Sequence, residues 1–573
     1  MSSPGGNSIL NNPRLNICAV LAILLVACGN KGPEPLFRDI SVESGLAFTH
    51  VNGMSGKFYI AEIMGSGCAL FDFDNDGDLD IYLVQSGIPQ PDEATVSWSS
   101  GAPRGDRLFR NDLEPGKPPK FVDITEQAGI KAEAYGMGVT AGDYNLDGFV
   151  DLYVSNYGRN YLYHNNGDGT FSDVTDISGT QDSRWSVTAV FTDVNNDRLP
   201  DLYIANYLAY TWEKNKECFN AGPDYCNPLT YGGEPDKLLL NKGDGTFEDI
   251  SHTSGLAEIA ANSLGVVASD LNNDGLVDLY VACDGQANLF WLNMGDNTFK
   301  ENALMSGCAL NVDGHPEASM GIDAADFDGD GDDDLFMTHL AGETNTLYVN
   351  NGDGRFSDRS IQTRLANPSK AYTGFGTAWF DYDNDGFLDT FTANGAVTTI
   401  DRLVDAGDPY PLHQTNQLFR NLDGKTFVET TVEAGPVFEL SEVSRGSAFG
   451  DIDNDGDTDI LVTNNNGPVR LLENTRGNSN PWLGLTLKDK HVVISGARVG
   501  LELQDQTTLW RRARIEASYA SACSPRILFG LGQQTKILGL VVHWPDGAME
   551  RWPALPISNW HTLTRGTGQS IEP

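Results

Sequence analysis

The sequence predicts an all-β chain: a closed, seven-bladed β-propeller with an acidic loop in every blade, then a small β-sandwich or barrel. Three observations lead there. A nine-residue acidic pattern occurs seven times, starting at residues 72, 143, 193, 270, 326, 381 and 451. Each copy lies between short apolar runs that read as strands. A second marker, Phe-x-Asp or Phe-x-Glu, keeps a fixed phase against the first and is displaced by one unit at the ends of the ring.

The acidic pattern is D-x-[DN]-x-D-G-x-x-D, as in DFDNDGDLD (72–80), DYNLDGFVD (143–151), DLNNDGLVD (270–278) and DFDGDGDDD (326–334). DYDNDGFLD (381–389) and DIDNDGDTD (451–459) complete the regular set, and DVNNDRLPD (193–201) is degenerate. Oxygens at the first, third and fifth positions converge when the loop turns sharply, and Gly at the sixth permits the turn because positive φ costs it little. With a carbonyl at the seventh position and Asp at the ninth, the set is oxygen-only and suits Ca2+. The spacing begins like an EF-hand loop but lacks the twelfth-position Glu, and strands rather than helices flank it. The candidate ligands are Asp72, Asp74, Asp76 and Asp80; Asp143, Asn145, Asp147 and Asp151; Asp193, Asn195, Asp197 and Asp201; and Asp270, Asn272, Asp274 and Asp278. The last three loops offer Asp326, Asp328, Asp330 and Asp334; Asp381, Asp383, Asp385 and Asp389; and Asp451, Asp453, Asp455 and Asp459. Arg198 replaces the turn glycine of the third loop, so that site is expected to be weak or empty among up to seven.

Four strands accompany each loop. In the second unit a strand enters the loop (138–142), a second leaves it (151–155) and a third follows (161–164). An Asn-Gly-Asp-Gly turn (166–169) then leads to a fourth strand at Phe171. Asx/Gly turns between alternating runs signal hairpins, and four short strands per unit signal a propeller blade. Fourth strands open at Phe121, Phe171, Phe247, Phe299, Phe356 and Phe427, one short of the loop count. The missing one stands at the other end, Phe37-Arg38-Asp39, which is expected to complete the last blade and close the ring. The predicted propeller covers 35–475.

Strand order puts the acidic loops and the Asn-Gly-Asp-Gly turns on one rim. The long variable connections, at 85–107, 207–237, 301–319, 395–417 and 430–445, fall mostly on the other. A rigid scaffold with variable loops is the usual arrangement for binding. Glu62, Tyr135, Arg184, His315, Glu317, Tyr372 and Arg445 fall near the innermost strand starts on that rim and are the candidate ligand-binding residues.

The formal net charge of -41 argues against nucleic-acid binding through a basic surface. The chain is 40% hydrophobic and 10% aromatic, so the acidity does not indicate disorder. The seven loops hold 29 of the aspartates, and metal sites explain them. At the N-terminus Arg14 precedes the apolar run 17–27, too short to span a bilayer and suited to an export signal over 1–28. Leu25-Val26-Ala27-Cys28 resembles a bacterial lipobox, with Cys28 as the lipidated residue. It implies a lipid-anchored envelope protein, at the outer rather than the inner membrane because no Asp follows Cys28. Export permits disulfides. Cys218 and Cys226, in one Pro/Gly/Asn-rich insertion, are the best candidate pair, Cys283 with Cys308 is a weaker one, and Cys68 reads as a small core residue.

After residue 475 the acidic loops stop. Strand-like runs at 482–487, 497–503, 514–517 and 538–544 form a second domain over 480–555, with 556–573 as a tail. From Arg476 onward the net charge is +4, against about -45 for the rest. Docking of this module on the acidic ring by charge and a merely mixed, solvated surface stand side by side.

The repeated acidic loop with its Asn-Gly-Asp-Gly-x-Phe partner resembles the FG-GAP/VCBS repeats of integrin α-type propellers. The tail motifs Ile494-Ser-Gly-Ala-Arg-Val499, Ser518-Tyr-Ala-Ser521, Phe529-Gly-Leu-Gly532 and Val542-His-Trp-Pro-Asp-Gly547 resemble the ASPIC/UnbV domain, in family order. Together they look like bacterial relatives of the cartilage acidic protein family. The resemblance implies an exported calcium-binding propeller linked to extracellular binding or adhesion.

No nucleophile motif, phosphate loop or paired-Cys zinc spacing occurs, and His164 and His543 lack partners at ligand spacing. Two functions stand at the end of this reading. One is a non-catalytic module binding an extracellular or periplasmic protein or glycan at the variable rim. The other is a lyase-like enzyme acting on polysaccharide at the same rim.

Overall fold

The computed structural model describes Met1 and residues 35–88, 102–220 and 222–572. The expected export signal, with Arg14 and Cys28, lies outside the described residues. No described helix is long and apolar enough to cross a membrane.

The acidic loops lie where the repeat places them, between the first and second strands of seven antiparallel sheets. The first sheet runs Cys68–Phe71, Asp80–Leu83, Arg107–Asn111 and Phe121–Asp123. The other six repeat this meander. Each third strand ends on an Asn set opposite the Phe that opens the fourth, for example Asn165 opposite Phe171. In the seventh sheet the partner of Asn474 is Phe37, from the strand Phe37–Asp39. The N-terminal strand therefore completes the last sheet, as its displaced Phe-x-Asp predicts.

The first strands contact one another in cyclic order: Cys68–Phe71, Tyr135–Gly142, Ser186–Thr192, Ser263–Ser269, Ile322–Ala325, Gly374–Phe380, Ser444–Gly450, and back to Cys68–Phe71. Both faces of each sheet are buried, so strands such as Asp80–Leu83 are buried at every position. Separate apolar clusters fill the spaces between neighbouring sheets. One packs Phe71 and Tyr82 against Val139 and Leu152, and another closes the circle by packing Leu461 and Leu471 against Leu70 and Ile81.

The basic module consists of two sheets around one core that includes Leu485, Val499, Phe529, Leu540 and Trp552. Residues after 555 are not a tail. Trp560–Thr564 pairs in parallel with Trp482–Asp489, and Gln569–Ile571 pairs with Met549–Pro553. These last strands, WHTLT and QSI, carry few apolar residues to mark them in the sequence.

This module sits on the acidic-loop rim, so docking by charge is the arrangement found. It also enters the ring. The stretch 513–523 runs into the axis, where Ala522 pairs with Ala69 of the first sheet and Ser518 bridges Ile322 of the fifth. Tyr519 is fully buried there. Its ring meets Phe375 edge-on at 4.9 Å and its hydroxyl donates to Met64 O at 3.2 Å. The first strands leave room because they carry glycine at the axis: a Cβ on Gly67 would lie 1.7 Å from Ala520 O.

From the other rim the variable connections close over the same axis. The turn Ile60–Ile63, the 207–237 insertion and the 395–412 segment contribute Tyr59, Ile60, Tyr207, Tyr210, Tyr225, Tyr231, Tyr410 and Leu412 to one cluster that also contains Tyr519. The expected disulfide Cys218–Cys226 staples the insertion, with Cα atoms 5.1 Å apart. Cys283 and Cys308 are free and buried, so the weaker pair does not form, and Cys68 is the expected core thiol.

Candidate functional site

Each acidic loop is held by the same backbone bonds. The first Asp accepts from the sixth-position N–H in all seven, at 3.1 Å for Gly77 and 2.9 Å for Gly456. The sixth residue has positive φ throughout, including Arg198 at 72°. The third loop therefore keeps its shape without glycine. Its N–H still reaches Asp193 Oδ2 at 2.7 Å, and the Arg198 side chain pairs with Asp546 of the basic module at 2.6 Å. That ion pair is a structural use for the departure from pattern.

The fourth position also has positive φ, which the sequence reading missed. It is Asn in Asn75, Asn196, Asn273, Asn384 and Asn454, Gly in Gly329, and Leu in Leu146. Asn and Gly tolerate this region and Leu does not. Leu146→Asn is therefore expected to stabilise the protein by about 1 kcal/mol, read as a higher denaturant midpoint; an unchanged or lower midpoint would count against strain at that site.

In four loops the carboxylates converge: Asp72, Asp74 and Asp80; Asp326, Asp328 and Asp334; Asp381, Asp383 and Asp385; Asp451, Asp453 and Asp459 each place ligand oxygens within 4.8 Å of one another. Burial followed by neighbouring carboxylates pushes Asp381 and Asp453 up to about 8. Asp326, mainly by burial, stands at about 7. Asp72 Oδ1, Asp278 Oδ2, Asp383 Oδ1 and Asp457 Oδ1 are buried without a hydrogen-bond donor. Buried oxygens without donors are rare and call for a partner, and oxygen-only groups of this kind fit a hard divalent cation. In the other three loops Asn145, Asn195 and Asn272 stand third, and each donates its amide to the fifth-position Asp, at 3.0, 2.9 and 2.9 Å. Those loops bring fewer charges to the point of convergence.

The ninth Asp is more than a ligand candidate. Asp151 Oδ1 accepts from Asn165 N at 2.7 Å and its Oδ2 from Tyr144 N at 3.2 Å, tying the loop to its own third strand. Half-buried His164 lies 3.1 Å from Asp151, which raises its pKa, so it braces the second loop. His543 packs edge-on against Trp510 at 5.1 Å and is structural.

Arginines of the basic module reach down onto these loops. Arg511 donates to Gly386 O at 3.0 Å and Arg498 to Gly331 O. Arg526 donates to Asn454 Oδ1 at 2.6 Å while its guanidinium lies 3.8 Å from the Trp560 ring. Trp560 Nε1 donates to Asp451 Oδ2 at 3.1 Å. Arg514 pairs with fully buried Asp323 at 2.8 Å.

On the opposite rim the seven candidate ligand residues do not share one open surface. Glu62, Tyr135 and Arg445 come together, but beneath the cap. Arg445 is fully buried, stacks 4.0 Å from the Phe375 ring centroid, and donates to Ile63 O at 2.7 Å and Gly395 O at 2.8 Å. Glu62 accepts from Ser55 N at 3.1 Å, and Tyr135 donates to Asn52 O at 2.9 Å. Tyr135 and Arg445 stand at strand starts as expected, and Glu62 lies in the turn Ile60–Ile63 ahead of one; the insertions that cover them carry no periodic signal. Glu317 is also buried, accepting from Asn311 at 2.9 Å, whereas His315 is exposed and Tyr372 half-buried. Arg184, paired with Asp182, lines a cavity of about 500 Å³ with Arg159, Lys237 and His252.

Arg445 serves as the bolt between cap, ring and inserted segment. Arg445→Ala is expected to cost about 3–5 kcal/mol, because it leaves buried carbonyls without donors. Denaturant unfolding measures it, and a loss under 1 kcal/mol would contradict the assignment.

The comparisons with known proteins agree with this geometry. The FG-GAP-like repeat profile matches residues 143–204, 229–281, 270–337 and 326–392, and the ASPIC and UnbV profile matches 489–570. Cartilage acidic protein 1 of Mus musculus is 25% identical over 338 residues, covering 58% of this chain and 48% of the relative. The Homo sapiens protein gives 25% over 338 residues, 58% and 47%. The chain thus spans about half the length of the curated relatives it matches. Among solved structures, the BP39L lectin of Burkholderia pseudomallei has a TM-score of 0.42 at 10% identity, covering 72% of this chain and 96% of that one. YCF48 bound to D1 peptide has a TM-score of 0.40 at 8% identity, covering 78% and 96%. At such scores neither likeness bears on a ligand. The chain carries FG-GAP-like repeats followed by an ASPIC and UnbV domain, and is a homologue of cartilage acidic protein 1.

Proposed function

We propose that this protein is a seven-bladed, calcium-stiffened β-propeller that acts as a non-catalytic binding module for an extracellular or periplasmic protein or glycan. The observation that carries the reading is the filling of the axis from both ends by the chain itself. The basic module covers the acidic loops, and the cap closes the other mouth. A partner is left with the loop-built surface around the cap, where Arg184, His315 and Tyr372 remain reachable. Calcium is the cation of choice for the loops because the donors are all oxygen. The four loops with Asp at the third position are the strongest sites, and the Asp193–Asp201 loop is the weakest. Cys28 supplies the lipid anchor to the cell envelope.

The test is a pull-down from native envelope and a glycan array, each with calcium and with chelator. A partner retained with calcium and lost on Tyr372→Ala or Arg184→Ala is the expected result. No retention on any ligand, with folded and calcium-loaded protein, would overturn it. The lyase-like alternative loses Glu62, Tyr135 and Arg445, which lie under the cap. Release of unsaturated products from a polysaccharide, abolished by Arg184→Ala or Tyr372→Ala, would restore it.

A further inference from the structure

Two sets of asparagines connect every acidic loop to its neighbours. The inner set closes each third strand: Asn111, Asn165, Asn241, Asn293, Asn350, Asn421 and Asn474. The backbone N–H of each donates to the ninth-position Asp of its own loop, between 2.7 and 2.9 Å. The side chain then crosses to the preceding loop and donates to its second-position carbonyl. Asn165 reaches Phe73 O at 2.8 Å, Asn241 reaches Tyr144 O at 2.7 Å and Asn293 reaches Val194 O at 2.7 Å. Asn350 reaches Leu271 O at 2.8 Å, Asn421 reaches Phe327 O at 3.2 Å and Asn474 reaches Tyr382 O at 2.7 Å. Asn111 reaches Ile452 O at 3.0 Å and closes the circle.

The outer set is the fourth-position asparagine, which points to the following loop. Asn75 donates to Gly148 O at 2.8 Å, Asn196 to Gly275 O at 3.2 Å and Asn384 to Gly456 O at 2.8 Å. Asn273 donates instead to Asp332 Oδ1 at 2.6 Å, and Asn454 donates to Asp78 Oδ1 at 2.7 Å and to Gly77 O at 3.4 Å. Leu146 and Gly329 cannot donate, so this outer circle has two gaps. At the Gly329 gap the carbonyl that would be reached, Gly386 O, is taken by Arg511 of the basic module. Gly331 O, bypassed by Asn273, is taken by Arg498.

We propose that the fourth-position asparagines are positioning residues that couple the loops, so that occupation of one loop by Ca2+ raises the affinity of the next. The inference rests on the reading of the loops as calcium sites. Each link joins the donor's loop to the sixth- or seventh-position residue of the next, which is where that loop turns around its ligand oxygens. An ion that fixes the turn in one loop therefore presents its neighbour with a fixed donor or acceptor. Electrostatics alone would have the opposite sign, because each bound cation lowers the negative potential felt by the next. Positive cooperativity is thus the mark of the hydrogen-bonded links.

The experiment is a calcium titration of the full chain, stripped of divalent ions, followed by calorimetry, with the number of ions bound measured independently. Coupling of roughly 5-fold or more between neighbours is expected, seen as a Hill slope above one that persists at high salt. Asn75→Gly with Asn454→Gly removes the donors on both sides of the Asp72 loop, including the link between two of the strong loops, while keeping the backbone that Gly329 already adopts. That variant is expected to bind the same number of ions with a slope closer to one. The second variant, Leu146→Asn, adds a donor at a gap and is expected to steepen the titration. Ions that bind with a slope of one or less in the parent chain, or a slope unmoved by the glycine pair, would overturn the coupling while leaving the calcium sites standing. No ion bound at millimolar calcium would overturn both.

Discussion

A chain ending at residue 476 is expected not to accumulate as a soluble, folded ring. The deletion empties the axis of 513–523, in which Tyr519 and Ala522 are wholly buried and Ala520 nearly so. It also leaves buried groups facing a void: Asp323 loses Arg514, and Val139 N loses its acceptor at Ala520 O, 3.1 Å away. A buried charge stripped of its partner alone costs about 3–5 kcal/mol, and the cavity adds to it. The milder version is Tyr519→Ala, which removes one ring from the junction with Phe375 and Arg445 and is expected to cost about 3–5 kcal/mol. Denaturant unfolding of the point variant and size-exclusion of the truncated chain read the two effects. A truncated chain that is monomeric, folded and as stable as the parent would show that the inserted segment is dispensable.

Removal of divalent cations is expected to lower Tm by about 10 °C. At 100-fold excess over Kd one site adds about 2.7 kcal/mol, and four strong loops spread over a ring of this size give a shift of that order. The pH dependence gives a sharper discriminator. In chelator, burial and neighbouring carboxylates hold Asp381 and Asp453 at about 8 and Asp326 at about 7. The unfolded chain titrates these groups near 4. The folded state therefore binds more protons across that interval, and stability falls as pH rises from about 4 to 8. With calcium bound the slope reverses, since protons compete with the ion and stability falls as pH drops. The check is Tm against pH in calcium and in chelator, with metal content verified. Identical curves in the two media would sink the metal reading.

Much of the fold was legible because its constraints are local. A loop that gathers oxygens needs Asp, Asn and Gly at set intervals, so seven copies survive in register. The displaced Phe37 was legible for a related reason: every fourth strand opens with Phe opposite a third-strand Asn, and a missing marker at one end with a spare at the other admits a single closure. The inner asparagines carried as regular a signal, yet they merge with the Asn-Gly-Asp-Gly turns that follow and read as part of them. Burial of Arg445, Glu62 and Tyr135 was not legible at all. It depends on 207–237 and 395–412 folding over the axis, and those segments have neither alternation nor repeat. The 513–523 stretch was legible as a strand and a family motif but not as the filling of the axis, since its small residues gain that meaning only against glycines such as Gly67 and Gly138, hundreds of positions earlier.

The pairing of Phe37–Asp39 with Arg470–Asn474 joins the first described strand to one made more than 400 residues later. Contacts of such long range form slowly, because the loop-closure entropy is lost before any contact offsets it. Until Arg470–Asn474 has been made the ring has no way to shut, and the axial segment at 513–523 arrives later still. Assembly therefore has two late steps, closure and insertion. The architecture acts as a timer: Phe37–Asp39 waits as an open edge until Arg470–Asn474 reaches it, and the axis stays open until 513–523 follows.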